Sequence, residues 1–292
     1  MCIRTRKNNF VFGTILALGL AASAAIAAPA APVEQIVADT PLFPGLSYAD
    51  TADLVLRTPI VAKVRVAKAE RLKGDLAPDL ASSSARFLIS ADVLSLLHGA
   101  DGLAGSVTYI VDVPLDSRGK APVLKKRQLI LLAQPVPGKS QEIRLISAQG
   151  QVDWTPAAES RIRSILTESN AASAPPQVTG VGRAFHVPGA VAGESETQIF
   201  LSTADGRPVS LNVLRRPGEE PHWAVALAEI VDDAASPPAR DTLLWYRLAC
   251  FLPAHLPDAT TASMEPANAI AAEQDYDVVL AGLGKCDRTL SR

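Results

Sequence analysis

The chain has 292 residues, with 28 Lys and Arg against 30 Asp and Glu, a formal charge of −2. A hydrophobic content of 48% excludes an intrinsically disordered polymer, and the near-neutral balance excludes a protein held to nucleic acid by bulk charge. The length suits two modest domains or one larger one.

The chain opens with the three-part layout of a secretory signal peptide. Arg4, Arg6 and Lys7 precede the apolar run "FVFGTILALGLAA" (10–22), and the small-residue segment "SAAIAAPAAP" follows. Ala25-Ile26-Ala27 supplies an A-x-A site, so cleavage is expected after Ala27, with the mature chain starting at Ala28. Gly13, Gly19 and Ser23 thin the run below the roughly 20 apolar residues of a spanning helix. The expected location is periplasmic or secreted, and the mature protein is not expected to be integral to the membrane. Losing residues 1–27 removes three basic residues and leaves 25 against 30 acidic ones, a net charge of −5. It also leaves two cysteines, Cys250 and Cys286, an even number that predicts one disulfide in an oxidising compartment.

Residues 28–45 are Ala/Pro-rich, without periodicity, and read as a flexible lead-in. A first module is expected over 46–169. "YADTADLVLR" reads as a short helix ahead of Pro59. Five strands follow within 59–72, 85–97, 105–114, 127–136 and 142–154. The fourth, "RQLILLAQPV", is apolar enough at its centre for burial on both faces. Thr155 caps a helix with Pro156 at its first position and Ile162, Ile165 and Leu166 on its apolar face. Five strands and a helix predict a small antiparallel barrel.

Three stretches of this module, "ADLVLRTPIVAKV" (52–64), "ISADVLSLLHG" (89–99) and "RQLILLAQP" (127–135), have a hydropathy pattern that resembles the OB-like barrels of the netrin and tissue-inhibitor-of-metalloproteinase family. The resemblance implies an exported OB-like module. Inhibitors of that family place an N-terminal cysteine in the protease cleft, and residues 46–169 contain no cysteine, so protease inhibition is not implied. The whole chain also resembles uncharacterised exported bacterial proteins, a likeness that implies no activity.

Residues 170–179, "NAASAPPQVT", have the composition of a linker between separately folding modules. The second module, 180–292, is expected to start with strands at 182–188, 196–203, 208–216 and 222–231, with a tight primed turn at "ADGR" (204–207). A helix follows over "DTLLWYRLACFL" with Asp241 as its cap, then a long surface loop at 257–268, then a last helix over 269–283 stopping at Gly284. The fold class is therefore α+β: an OB-like five-stranded antiparallel barrel with a helix, then an antiparallel sheet backed by two helices.

Candidate chemistry centres on "HVPGAVAGESETQIF" (186–200). Gly193-Glu194-Ser195-Glu196-Thr197 nearly matches a nucleophile elbow, but Thr197 stands where the turn needs glycine. The segment opens a strand rather than a helix, and two glutamates would oppose an oxyanion. Ser195 reads as part of a solvated loop. His98, His186, His222 and His255 show no metal-ligand spacing. His186 and His222 could converge with Asp232 or Asp233 if their strands paired, which is the arrangement an envelope hydrolase or metal-dependent enzyme would require. No cofactor-binding motif is present.

The two halves differ in charge. Residues 46–150 hold 14 basic and 10 acidic residues, and residues 181–292 hold 9 and 15. The basic residues crowd the first strand (Lys63, Arg65, Lys68, Arg71, Lys73) and the start of the fourth (Lys125, Lys126, Arg127). No aromatic cluster accompanies them, so single-stranded nucleic acid is not expected as a partner. The expectation is an exported, non-catalytic binding or assembly protein of the bacterial cell envelope, whose partner is an envelope protein or an anionic envelope component.

Overall fold

The computed structural model describes residues 42–43, 45–227 and 235–290. The expected signal peptide, most of the lead-in, Asp232, Asp233 and the end of the last expected strand (228–231) lie outside the described residues. No described helix is long and apolar enough to cross a membrane.

Ser47 caps α1 (Tyr48–Val55), its hydroxyl accepting the Asp50 N–H at 3.0 Å. β1 (Ile60–Leu72), β2 (Ser84–His98) and β3 (Ser106–Pro114) form an antiparallel meander. β4 (Gln128–Val136) pairs antiparallel with β1, and β5 (Lys139–Leu145) pairs antiparallel with β4. β5 also meets β3 in parallel at Thr108 and Glu142, closing the order β1-β2-β3-β5-β4-β1. The barrel is thus closed and five-stranded but mixed, not wholly antiparallel. Strands alternate in direction along the chain, so β3 and β5 run the same way and can close the barrel only in parallel.

The stretch expected to hold the fifth strand divides into the end of β5 and a short β6 (Gln151–Asp153) that pairs with the other end of β4. The division falls at Gly150, where a side chain would come within 2.7 Å of the Leu132 carbonyl oxygen. Leu129 to Ala133 are all fully buried. Leu129, Leu131 and Ala133 fill the barrel interior, whereas Ile130 and Leu132 pack in a second core against the helices. That explains why β4 has no polar alternation.

Thr155 accepts the Ala158 N–H at 3.0 Å and caps α2 (Pro156–Asn170). β7 (Val178–Pro188), β8 (Ser195–Thr203), β9 (Ser210–Arg215) and β10 (His222–Ala226) form an antiparallel sheet in the order β10-β9-β8-β7. The connection from β8 to β9 is longer than a two-residue turn: the Asp205 carboxylate binds Arg207, and Pro208, lacking an N–H, cannot begin the ladder. α3 (Leu243–Ala249) is capped by Thr242, not by Asp241, which takes a left-handed φ of 59° just before it. The expected surface loop at 257–268 contains α4 (Asp258–Thr261), with Thr260 and Thr261 buried, and α5 (Pro266–Leu283) begins within it. Gly284, at a φ of 68°, ends α5.

The second core does not stop at residues 170–179. It joins Ala49, Leu54, Ile130 and Ile165 of the first half to Ile199, Leu211, Trp245 and Tyr276 of the second. A core shared in this way predicts one cooperative unfolding transition rather than two separately folding modules.

α5 lies close enough to the sheet that a side chain at Gly282 would overlap the indole Nε1 of buried Trp223. Gly282→Ala would gain about 1 kcal/mol of helix propensity but lose about 1–3 kcal/mol to overpacking. It is expected to lower the urea midpoint.

Residues 288–290 are tied to α1. Asp50, fully buried, accepts the N–H groups of Thr289 and Leu290 at 2.9 Å and the hydroxyls of Thr289 and Ser47 at 2.7 and 2.8 Å. Asp53 accepts the Tyr246 hydroxyl and the Arg288 guanidinium. Burial alone would raise the Asp50 carboxyl, but the hydrogen bonds from Leu290, Thr289 and Ser47 together outweigh it and hold it below the ordinary carboxylate value. The folded state therefore binds this proton less readily than the unfolded chain. Asp50 contributes stability near neutral pH that is lost as pH falls through the acid range, between about pH 5 and pH 2. Thermal melts across that range should show a shallower acid decline in Asp50→Asn than in the wild type, from a lower starting stability.

Candidate functional site

The sheet turns one face toward α5. Pairing places His186, Thr197, Val213 and Trp223 in one row across that face, and Pro188, Ser195 and Arg215 in the next. α5 turns Ala272, Asp275, Tyr276, Val279 and Leu283 inward. Asp275 thus occupies a place in an apolar stripe, with no exposure at all.

A buried carboxylate needs compensation. Asp275 Oδ1 accepts the Arg215 Nε–H at 2.6 Å, and Oδ2 accepts the hydroxyl of fully buried Thr197. His186 Nδ1 stands 2.7 Å from Thr197 Oγ1 and 3.7 Å from Asp275 Oδ2. The Thr197 proton is committed to Asp275, so Thr197 can only accept from His186, and Nδ1 carries the hydrogen. This relay ends in buried groups, with the His186 side chain only 7% exposed. Its outlet is Arg215, whose side chain is 34% exposed.

Arg215 lines a cleft of about 240 Å³ at the end of the sheet, together with Pro188, Glu194, Ser195, Glu196 and Arg216. The connection between β7 and β8 closes on itself there: the Gly189 N–H donates to the Glu194 carbonyl at 2.7 Å, and Gly193 takes a φ of 88°. A side chain at Gly189 would overlap that of Glu194. Arg215 uses its Nε on Asp275, while Glu194, Glu196 and Arg216 have no ion-pair partner among the described residues. The cleft wall therefore carries charges of both signs, with Glu196 on the sheet face opposite that of Arg215.

A second hollow, of about 510 Å³, lies on the other face beside Gly182, Arg183, Phe185 and Phe200. Its aromatic rings meet edge to face at 6.0 Å, and Arg183 lies 5.9 Å from the Phe185 ring centre. Its one charge is thus set against a ring.

Ser195 is the first residue of β8, in the cleft wall, and does not sit on a strand-to-helix elbow. His186 and His222 do not converge: β7 and β10 are opposite edges of the sheet, and His222 is exposed on β10. The two-histidine site required by the enzyme alternative is not formed by them. His98 ends β2, and His255 is exposed between α3 and α4. Cys250 and Cys286 form the disulfide, with Cα atoms 5.0 Å apart. The basic stripe is partly neutralised within its own half: Lys63 pairs with Glu159 at 3.5 Å and lies 3.6 Å over the Trp154 ring, Arg127 pairs with Asp153, and Lys68 pairs with Glu70.

Asp275 and Arg215 were not singled out by sequence, and Thr197 was noted only as the departure from the elbow pattern. One signal was present for Asp275: it falls three residues after Ala272 and four before Val279, on the stripe that α5 buries. No protein-family model matches the chain, and no curated protein matches it.

Proposed function

We propose that the protein is an exported, non-catalytic binding or assembly protein of the bacterial cell envelope, periplasmic or secreted, and that it works through the Arg215 cleft. The observation that carries this reading is the Arg215 guanidinium. A fully buried carboxylate holds it by Nε, its outer nitrogens have no hydrogen-bond partner among the described residues, and Arg215 is one of the residues lining an open cleft. A guanidinium fixed in this way is suited to an anionic group of an envelope component, because its fork is oriented before the ligand arrives. The reactive-looking groups behind it, Thr197 and Asp275, are fully buried and hydrogen-bonded to each other, an arrangement suited to positioning rather than turnover. Export rests on the leader-like N-terminus, and the Cys250–Cys286 disulfide is in keeping with an oxidising compartment. The OB-like resemblance of the first half is likewise that of an exported module.

Cell fractionation with intact-mass measurement tests the location. The expected result is a chain beginning at Ala28 in the periplasm or medium. Full-length chain retained in the membrane or cytoplasm would contradict it.

A further inference from the structure

We infer that two copies of the chain pair through the free edge of β7, antiparallel and about a twofold axis at Phe185, joining their four-stranded sheets into one. β7 ends the order β10-β9-β8-β7, and its backbone bonds only to β8 among the described residues. The Gly189 N–H donates to the Glu194 carbonyl. The alternation of an antiparallel ladder then leaves the N–H and C=O groups of Ala184 and His186 pointing away from β8. An unpaired edge of this kind is a template for another strand unless it is blocked. In β7 the blocks stand at the ends. The register shifts fall before Arg183, Pro188 closes the strand, and the register from Arg183 to Pro188 is unbroken.

The side chains beside that edge suit a second copy. Arg183, Phe185 and Val187 share the outer face of the sheet, where Phe185 is 46% and Val187 63% exposed. Pairing about Phe185 sets Val187 of each copy opposite Arg183 of the other, with the two Phe185 rings side by side. Each Val187 then enters the other copy's hollow of about 510 Å³ beside Gly182, Arg183, Phe185 and Phe200. Charge matches as well. Arg183 and Glu196 are both exposed, and neither has an ion-pair partner among the described residues. Glu196 pairs with Val187 across the β7–β8 ladder. Arg183 therefore stands two strand spacings, about 9.6 Å, from Glu196 of the second copy, with only Val187 between them. A foreign strand would need both an apolar residue for the hollow and an acidic group at that spacing from Arg183; a second copy carries both. Weak interfaces bury less than about 1,200 Å² in total, and one strand pair with these side chains belongs to that class, so micromolar dissociation is expected.

Sedimentation equilibrium of the full mature chain across the micromolar range tests this. The expected result is a reversible monomer–dimer equilibrium with no larger species, because the twofold pairing uses both β7 edges. Val187→Lys sets a lysine against Arg183 of the second copy and should leave a monomer throughout. Its melting midpoint should not change, since Val187 is exposed and outside the core. Arg183→Glu and Glu196→Arg should each weaken the dimer about tenfold, by opposing like charges at both symmetric contacts, and the double reversal should restore it. A wild type that stays monomeric, or a dimer that Val187→Lys leaves intact, would overturn the pairing. Single reversals without effect, or a double reversal that does not restore the dimer, would overturn the register about Phe185 and the inference with it.

Discussion

Replacing Arg215 with methionine is expected to destabilise the protein by about 3 kcal/mol, the lower end of the range for breaking a buried ion pair. Asp275 is fully buried while the Arg215 side chain is one-third exposed, so the two ends of the pair are not equivalent. Losing Arg215 strands a carboxylate that water cannot reach, with only Thr197 and His186 beside it. Losing the carboxylate's charge instead, as in Asp275→Asn, leaves a guanidinium that can turn toward solvent and a side chain that still accepts from Thr197. That loss should be about 1–2 kcal/mol. The double variant Arg215→Met with Asp275→Leu removes both charges from the interior, and is expected to be more stable than Arg215→Met alone. Urea midpoints of the four proteins decide the matter. Equal losses for the two single changes, with simple addition in the double, would show that Asp275 is not a buried charge compensated by Arg215.

Reducing the Cys250–Cys286 bond, or changing both cysteines to alanine, should cost about 4 kcal/mol. The closed loop spans a sequence separation of 36, for which loop-closure entropy gives about 3.8 kcal/mol. The structure adds a local consequence. Cys286 stands just before Arg288, Thr289 and Leu290, which satisfy buried Asp50 and Asp53. Releasing the bond loosens the anchor of the segment that supplies those donors, so the realised loss should not fall far below the entropic figure. For a chain of this size the melting midpoint should drop by about 10 °C. An unchanged midpoint after reduction, with two free thiols confirmed by mass, would mean that the terminal segment is held by its hydrogen bonds alone.

Local signals in the sequence carried most of the fold. The continuous apolar centre of β4 announced burial on both faces, because alternation disappears only when neither face meets water. Thr155 followed by Pro156 marked the start of α2, and the even cysteine count after the expected leader pointed to the disulfide. Features set by distant partners were not legible. The parallel contact of β3 with β5 depends on barrel closure, which no window of residues encodes. Asp241 was the expected cap of α3, but the backbone's left-handed turn at Asp241 gives the helix amides to Thr242 instead. The segment at 170–179 has a linker's composition, yet the core on either side of it is shared.

The candidate site was half legible for the same reason. The loop from His186 to Phe200 drew attention through Ser195, which proves to be a wall residue of the cleft. What organises the site is Asp275, 78 residues after Thr197, brought there by α5 packing on the sheet. The opposite charges of the two halves suggested an electrostatic surface, but ion pairs within the first half already use Lys63, Arg127 and Lys68.

On the proposed reading, the Arg215 cleft holds an envelope component. Native mass spectrometry of the mature protein after equilibration with soluble envelope extract tests it most directly, run beside an Arg216→Glu variant that reverses one exposed charge at the cleft without touching the core. The wild type is expected to retain a bound mass that the variant, equally folded, releases. The same bound mass on both proteins, or none on either, would contradict the account.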